Sequence, residues 1–212
     1  VSPRRAAAVR DGDRSLREHL IATAERLIAE RGTGGLTVRE IARAAGVADG
    51  VLYNHFADKE ELLAYALHAH VRAAEAAAGG PPPEAGSGTV EANLRAYLTR
   101  SVALHAAILP AFAGLLHQPA VLARLADLPG SVSGRQVVRA ALTDYLRAEQ
   151  RLGRVARRAR VDAAVTLLIG VSHDLVLTHL LDPAAPAPAG LSERDVSDLV
   201  ATVWRGIAPT GG

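Results

Sequence analysis

Apolar residues recur every three or four positions along most of this chain, and runs that alternate apolar with polar are missing, so the pattern predicts helices and no sheet. Leu16, Leu20, Ala24, Leu27 and Ile28 share one face of a first helix, Leu16 to Arg31, which Gly32, Gly34 and Gly35 bring to an end. Ile41, Ala45, Val47 and Leu52 then fall at helical spacing on two short segments joined at Gly46. A long helix through Leu62, Leu63, Ala66, Leu67 and Val71 starts at Asp58, which can cap it, and stops at Gly79. Gly79 to Gly88 is a glycine- and proline-rich loop, expected to be mobile. Further helices follow: Thr89 to Ile108, short pieces bracketed by Pro110 and Pro119, Gly134 to Leu152, and the most apolar one, Val161 to Leu181. After a second loop, Asp182 to Gly190, Ser192 caps a last helix that reaches Trp204 or Ile207. No internal repeat interrupts the series.

The stretch 38–56 carries the most information. Its spacing is that of a helix-turn-helix, whose second helix enters the major groove of DNA. Ala42 falls where two helices cross closely, and Gly46 in the turn, where positive φ is cheap only for glycine. Thr37 followed three residues later by Glu40 forms a capping box that starts the first helix of the pair. Packing, turn and cap requirements are met together.

Composition narrows the classes. The 212 residues suffice for one large or two small domains, and the absence of cysteine removes disulfides and thiolate metal sites. Net charge is only +2, with Lys59 the sole lysine among 24 basic residues, so distribution of charge matters more than its total. Residues 1–14 set Arg4, Arg5, Arg10 and Arg14 against Asp11 and Asp13; they read as a disordered basic arm, or alternatively one that adds phosphate or minor-groove contacts. No charged-then-apolar leader is seen, and Ala163 to Val171 is too short to span a bilayer, so a cytoplasmic protein without membrane contact is expected. His68 and His70 are two apart, His173 and His179 six apart; neither is a zinc spacing. Without a phosphate loop, nucleophile elbow or paired acids, no catalytic residue, metal or cofactor is expected, and an all-α histidine-dependent enzyme is the weakest reading.

The segment Gly46 to Leu62 resembles the signature of the TetR family of transcriptional regulators, through Gly46-Val47, Gly50, Leu52-Tyr53, His55-Phe56, Lys59-Glu60 and Leu62. The likeness extends back through Thr37-Val38-Arg39-Glu40-Ile41-Ala42. It implies an all-α homodimer with a three-helix DNA-binding domain at 15–60 and a larger helical ligand-binding and dimerisation domain at 61–212. A ligand would alter the separation of the two reading heads, usually releasing a repressor from a palindromic operator. Matching positions carry implied roles. Thr37 and Arg39 would meet phosphate at a helix start, and Arg39 a base edge. Gly50 would allow close approach to the groove, and Val51 a thymine methyl. Tyr53, His55 and Lys59 would contact phosphates, and Asn54 a base or phosphate. Two departures stand out. Ala48 replaces the usual serine or threonine cap, a loss of ~1 kcal/mol if nothing substitutes. Asp49 suits the helix dipole but is repelled by phosphate unless it accepts from a cytosine amino group.

In the second domain Leu167, Gly170, Val171, Asp174 and Thr178, with Val196, Leu199, Val200, Val203 and Ile207, are the candidate dimer face. Polar or aromatic residues within apolar helices, namely Tyr97, His105, Phe112, His117, Tyr145 and His173, are the candidate pocket for a small apolar or amphipathic effector. Arg147, Arg151, Arg154, Arg157, Arg158 and Arg160 read as a solvated helix end. A regulator without a small-molecule inducer is the alternative.

Overall fold

The computed structural model describes residues 3–130, 134–182, 184 and 191–209, with side chains described from 12 onward and, within the seventh helix, from 138. Among them the order is α1 (Pro3–Arg31), α2 (Val38–Ala45), α3 (Asp49–His55), α4 (Lys59–Ala77), α5 (Val90–Ala113), a 3-10 turn (Gly114–His117), α6 (Pro119–Asp127), α7 (Gly134–Arg151), α8 (Val161–Leu181) and α9 (Glu193–Ile207). The described residues are all-α, as the periodicity predicts.

Two boundaries differ from expectation. Helix α1 begins at Pro3, so the segment expected as a disordered arm continues the helix. Ala6-Ala7-Ala8-Val9-Arg10 favours helix enough to outweigh the ~1 kcal/mol that Gly12 costs. The side chains of residues 1–11 lie outside the described residues. Helix α5 continues through Pro110 to Ala113 instead of ending at Ile108. Proline removes one donor from the ladder, and the last turn is held from elsewhere: the buried Thr33 hydroxyl donates to the Ala111 carbonyl at 2.8 Å. Most of the second loop, Asp182 to Gly190, lies outside the described residues.

The chain forms two compact units, and the division falls within α4, not at 60/61. The first unit comprises residues 1–73 and 110–131. Leu20, Leu27, Ile28, Ile41, Leu52, Phe56, Leu62, Leu63 and Leu67 build its core together with Ala111, Leu115, Val121 and Leu125 from the returning segment. Here the α1–α2 turn and the 3-10 turn meet so closely that a Cβ on Gly114 would lie 2.6 Å from the Gly34 nitrogen and 2.6 Å from Thr33 Oγ1. Arg124 of α6 pairs with Asp58, the residue that caps α4.

The second unit comprises residues 74–109 and 132–212. Leu94, Leu98, Leu142, Leu146, Val165, Leu168, Ile169, Val176 and Val200 are buried in it, with α8 packed against α7 and α9. Val90–His117 and Val161–Leu181 are long and apolar enough to cross a membrane, by length and composition only. The short apolar stretch 163–171 is thus part of a longer apolar helix. Both helices carry buried residues of the protein core, as an apolar core helix of a globular protein does.

The Gly79–Gly88 loop is pinned, contrary to expectation. Arg100 donates to the Gly79 and Gly80 carbonyls at 2.7 and 3.0 Å and to the Glu75 carbonyl at 3.2 Å, closing the end of α4. Tyr97 donates to the Pro83 carbonyl at 3.3 Å, and Asn93 to the Ser87 carbonyl at 2.8 Å. Glu149, whose side chain is 0% exposed, accepts from the Gly86 amide at 3.1 Å and lies 3.0 Å from the Arg154 guanidinium. Arg154 in turn donates to the Ser87 and Gly88 carbonyls at 3.3 and 2.6 Å. Glycine and proline alone suggest freedom, but side chains from α5, α7 and the turn after α7 remove it.

Candidate nucleic-acid interface

Helix α2 starts at the expected box. The Glu40 amide donates to Thr37 Oγ1 at 3.2 Å, and the Glu40 carboxylate accepts from the Thr37 amide at 2.9 Å. The Thr37 hydroxyl also donates to that carboxylate at 2.8 Å. These bonds, the hydroxyl first and the amide next, hold the Glu40 carboxyl below its usual range. The Thr37 hydroxyl is thereby engaged as a cap on a residue that stays exposed at the start of α2. Gly46 ends α2 in the left-handed region at φ 72°, and the Val47 amide reaches the Ala42 carbonyl at 3.0 Å. With Ile41 and Ala42 fully buried, α3 rests on α2 as the spacing requires.

Helix α3 turns Leu52 inward, and Phe56, just past its C-terminus, is buried as well. Asp49, Gly50, Tyr53 and Asn54 point outward, Tyr53 at 59% exposure, and Val51 is half-buried. Gly50 has open space around it: a Cβ there would meet nothing within 4 Å. Ala48 makes no side-chain cap, as expected. Arg39 and Arg43 lie four residues apart on the exposed side of α2, and Lys59 begins α4. None of the side chains of Arg39, Arg43, Asp49, Tyr53, Asn54 and Lys59 makes a hydrogen bond or ion pair among the described residues. Arg39, Arg43, Asp49, Tyr53 and Asn54 are exposed and Lys59 is half-buried; together they form a set of cations and hydrogen-bonding groups around α3 whose side chains nothing among the described residues satisfies.

His55 is a correction. Its side chain is only 5% exposed, and Nδ1 lies 3.4 Å from the Asp13 carboxylate of α1. It faces α1, so its implied phosphate contact does not fit this geometry. Three other side chains that the motif did not single out hold the pair of helices in place. Arg17 of α1 sits 4.7 Å from the Phe56 ring centroid and 4.2 Å from that of Tyr65, with Glu61 at 3.7 Å. His19 Nε2 is 3.1 Å from the Ala45 carbonyl at the end of α2. Glu61 accepts from the Ala57 amide at 2.6 Å while its own amide donates to Asp58 at 2.8 Å, fixing the turn after α3. Arg43 was visible as a repeat of Arg39 one turn on. Arg17 and His19 carried no local signal.

In the second unit the candidate dimer face splits. Val196, Val200 and Ile207 are buried in the unit's own core, which corrects their assignment, since a buried side chain has no surface left for a partner. Leu167 (62% exposed), Gly170, Asp174 and Thr178 are exposed, and Val171, Leu199 and Val203 half-buried. A groove of 560 Å³ between α8 and α9 is lined by Leu167, Val171, Leu199 and Val203 among others. The pocket candidates split too. Phe112 packs against the core of the first unit, and His117 is an exposed end of the 3-10 turn in that unit; neither lies among the second unit's helices. The other four gather in pairs. Tyr97 and Tyr145 rings are 5.1 Å apart, and His105 and His173 meet edge to face at 4.6 Å. Ser172 donates to Ser101 at 2.9 Å beside the His105 ring. Burial pushes the Tyr97 hydroxyl up to about 12 and that of Tyr145 still higher, so both are neutral donors at any physiological pH.

Residues 20–66 match the family model described as bacterial regulatory proteins, tetR family. The transcriptional repressor KstR2 of Mycobacterium tuberculosis is 49% identical over 49 residues, 23% of this chain and 24% of that protein. The match therefore spans about a quarter of such curated relatives. Solved structures extend the likeness to the fold of nearly the whole chain. The flavonoid-responsive regulator FrrA aligns at TM-score 0.65 with 20% identity, covering 93% of this chain and 99% of that one. FadR of Bacillus subtilis, solved in complex with stearoyl-CoA, aligns at TM-score 0.58 with 20% identity over 87% of this chain and 97% of its own.

Proposed function

We propose, from the TetR-family DNA-binding domain that residues 20–66 carry, that this protein is a dimeric transcriptional regulator. It is a cytoplasmic repressor that leaves a palindromic operator when a small apolar or amphipathic ligand binds. The observation that carries the reading is the set of exposed Arg39, Arg43, Tyr53 and Asn54 and half-buried Lys59, whose side chains have no partner among the described residues, around a recognition helix whose other face is buried. Cations bind phosphate by releasing condensed counterions, so affinity falls with salt. Duplex selection from a random library, followed by salt titration, tests it. Arg39→Ala is expected to weaken binding to all sequences and to lower the salt slope by about 1. An unchanged slope opposes the phosphate role.

Dimerisation follows from the demands of reading: one seven-residue helix contacts few base pairs, and two heads a helical turn apart multiply specificity. The apolar α8/α9 groove with Leu167 and Leu181 (85% exposed) supplies a face that a second copy would cover. Leu167→Glu is expected to yield monomers by sedimentation and to reduce operator affinity at least tenfold; a dimer of unaltered affinity opposes this face. The relatives matched are regulators, not enzymes. The polar seam of Ser101, His105, Ser172 and His173 among the apolar side chains of the second unit supports a ligand with an apolar body and a polar end. The second reading, a regulator with no effector, predicts that no small molecule releases the operator complex.

A further inference from the structure

The exposed face of α3 carries no cation. Of its seven residues only Asp49 carries a carboxyl group and only His55 a basic ring, and His55 faces Asp13 of α1. The one formal charge that α3 can present to a duplex is therefore negative. Asp49 is exposed, lies in the first turn, and makes no hydrogen bond or ion pair among the described residues. Its carboxylate is an acceptor only. The major-groove edges of guanine and thymine offer it acceptors, and adenine sets its amino donor beside the N7 acceptor. Cytosine alone presents an amino donor with no acceptor of its own on that edge. Nearby Arg39, Arg43 and Lys59 supply the attraction to phosphate, which leaves a carboxylate on α3 free to act as a filter.

We propose that Asp49 is a specificity-determining residue that requires a cytosine in each operator half-site. Asp49 accepts from the cytosine N4 amino group and excludes the other three bases by repulsion, so it discriminates more than it attracts. The proposal rests on the DNA-binding reading above. It separates Asp49 from a mere helix-dipole residue, whose removal would alter stability alone.

The test is selection of duplexes from a random library by wild type, Asp49→Ala and Asp49→Asn, each then titrated on the selected site and its three single-base variants at the cytosine position. Wild type is expected to select a cytosine whose replacement weakens binding at least tenfold. Asp49→Ala is expected to bind all four duplexes, the selected site and its three variants, within threefold of one another and to bind random DNA more tightly. Asp49→Asn is expected to favour adenine at that position, because a carboxamide matches its N6 and N7 in two bonds. Thermal midpoints of the three proteins, measured alongside, identify a folding defect. If all three select one motif with the same base preference at every position, the Asp49 assignment is wrong while the DNA-binding reading stands. If wild type selects no motif at all, the DNA-binding reading itself fails.

Discussion

Arg154→Ala is expected to destabilise the second unit by about 3 kcal/mol, because it leaves the Glu149 carboxylate charged, buried and without its cation. Glu149 is wholly buried, and the guanidinium at 3.0 Å is its counter-charge. The same substitution releases the Ser87 and Gly88 carbonyls, which Arg154 bonds at 3.3 and 2.6 Å. Tyr145, hydrogen bonded to Glu149 and to Asn93, loses a rigid neighbour. The cost comes from the orphaned charge more than from the lost attraction. Adding Glu149→Gln to Arg154→Ala is therefore expected to recover most of the loss, since an amide oxygen still accepts from the Gly86 amide without burying a charge. Urea unfolding at fixed protein concentration measures both variants. An Arg154→Ala midpoint equal to wild type, or a double variant less stable than the single one, contradicts this account of the loop.

Gly114→Ala is expected to cost about 2 kcal/mol in the first unit, by forcing apart two backbone segments that pack without room for a methyl. The added Cβ would lie 2.6 Å from the Gly34 nitrogen, an atom that cannot swing aside as a side-chain tip would. Thr33 Oγ1 is equally close and is held by its bond to the Ala111 carbonyl. Gly206→Ala is the matched control: it sits in α9 with nothing within 4 Å of its added Cβ. There alanine is expected to be neutral or to stabilise by up to about 1 kcal/mol. Equal effects at the two positions would contradict the close contact.

What could be read from the sequence was local. Thr37 with Glu40, Asp58, Gly46 and Ser192 announce helix ends through bonds to neighbours three or four residues away, and each does so in the structure. Ile41, Ala42 and Leu52 are buried where their spacing puts them. What escaped depends on residues far apart in the chain. His55 looked outward from its motif, but Asp13 on α1 draws it in. The 79–88 loop looked free until Arg100, Asn93, Glu149 and Arg154 closed on its backbone. On α9 the period revealed an apolar stripe, but not that Val196, Val200 and Ile207 would fill their own core while Leu199 and Val203 border the groove. Segment 110–131, placed by its position in the second domain, completes the first core through Leu115, Val121 and Leu125.

Because the chain has no cysteine, a single introduced thiol reports its own position without ambiguity. Asn54→Cys places it on the exposed side of α3, and Arg26→Cys on an exposed position of α1, where the native side chain pairs with Glu30. Each is mixed with a selected duplex bearing a tethered thiol in the major groove of a half-site. Rapid disulfide capture at position 54 and none at position 26 is the predicted outcome; capture at 26 with none at 54 would mean that α3 does not face the DNA.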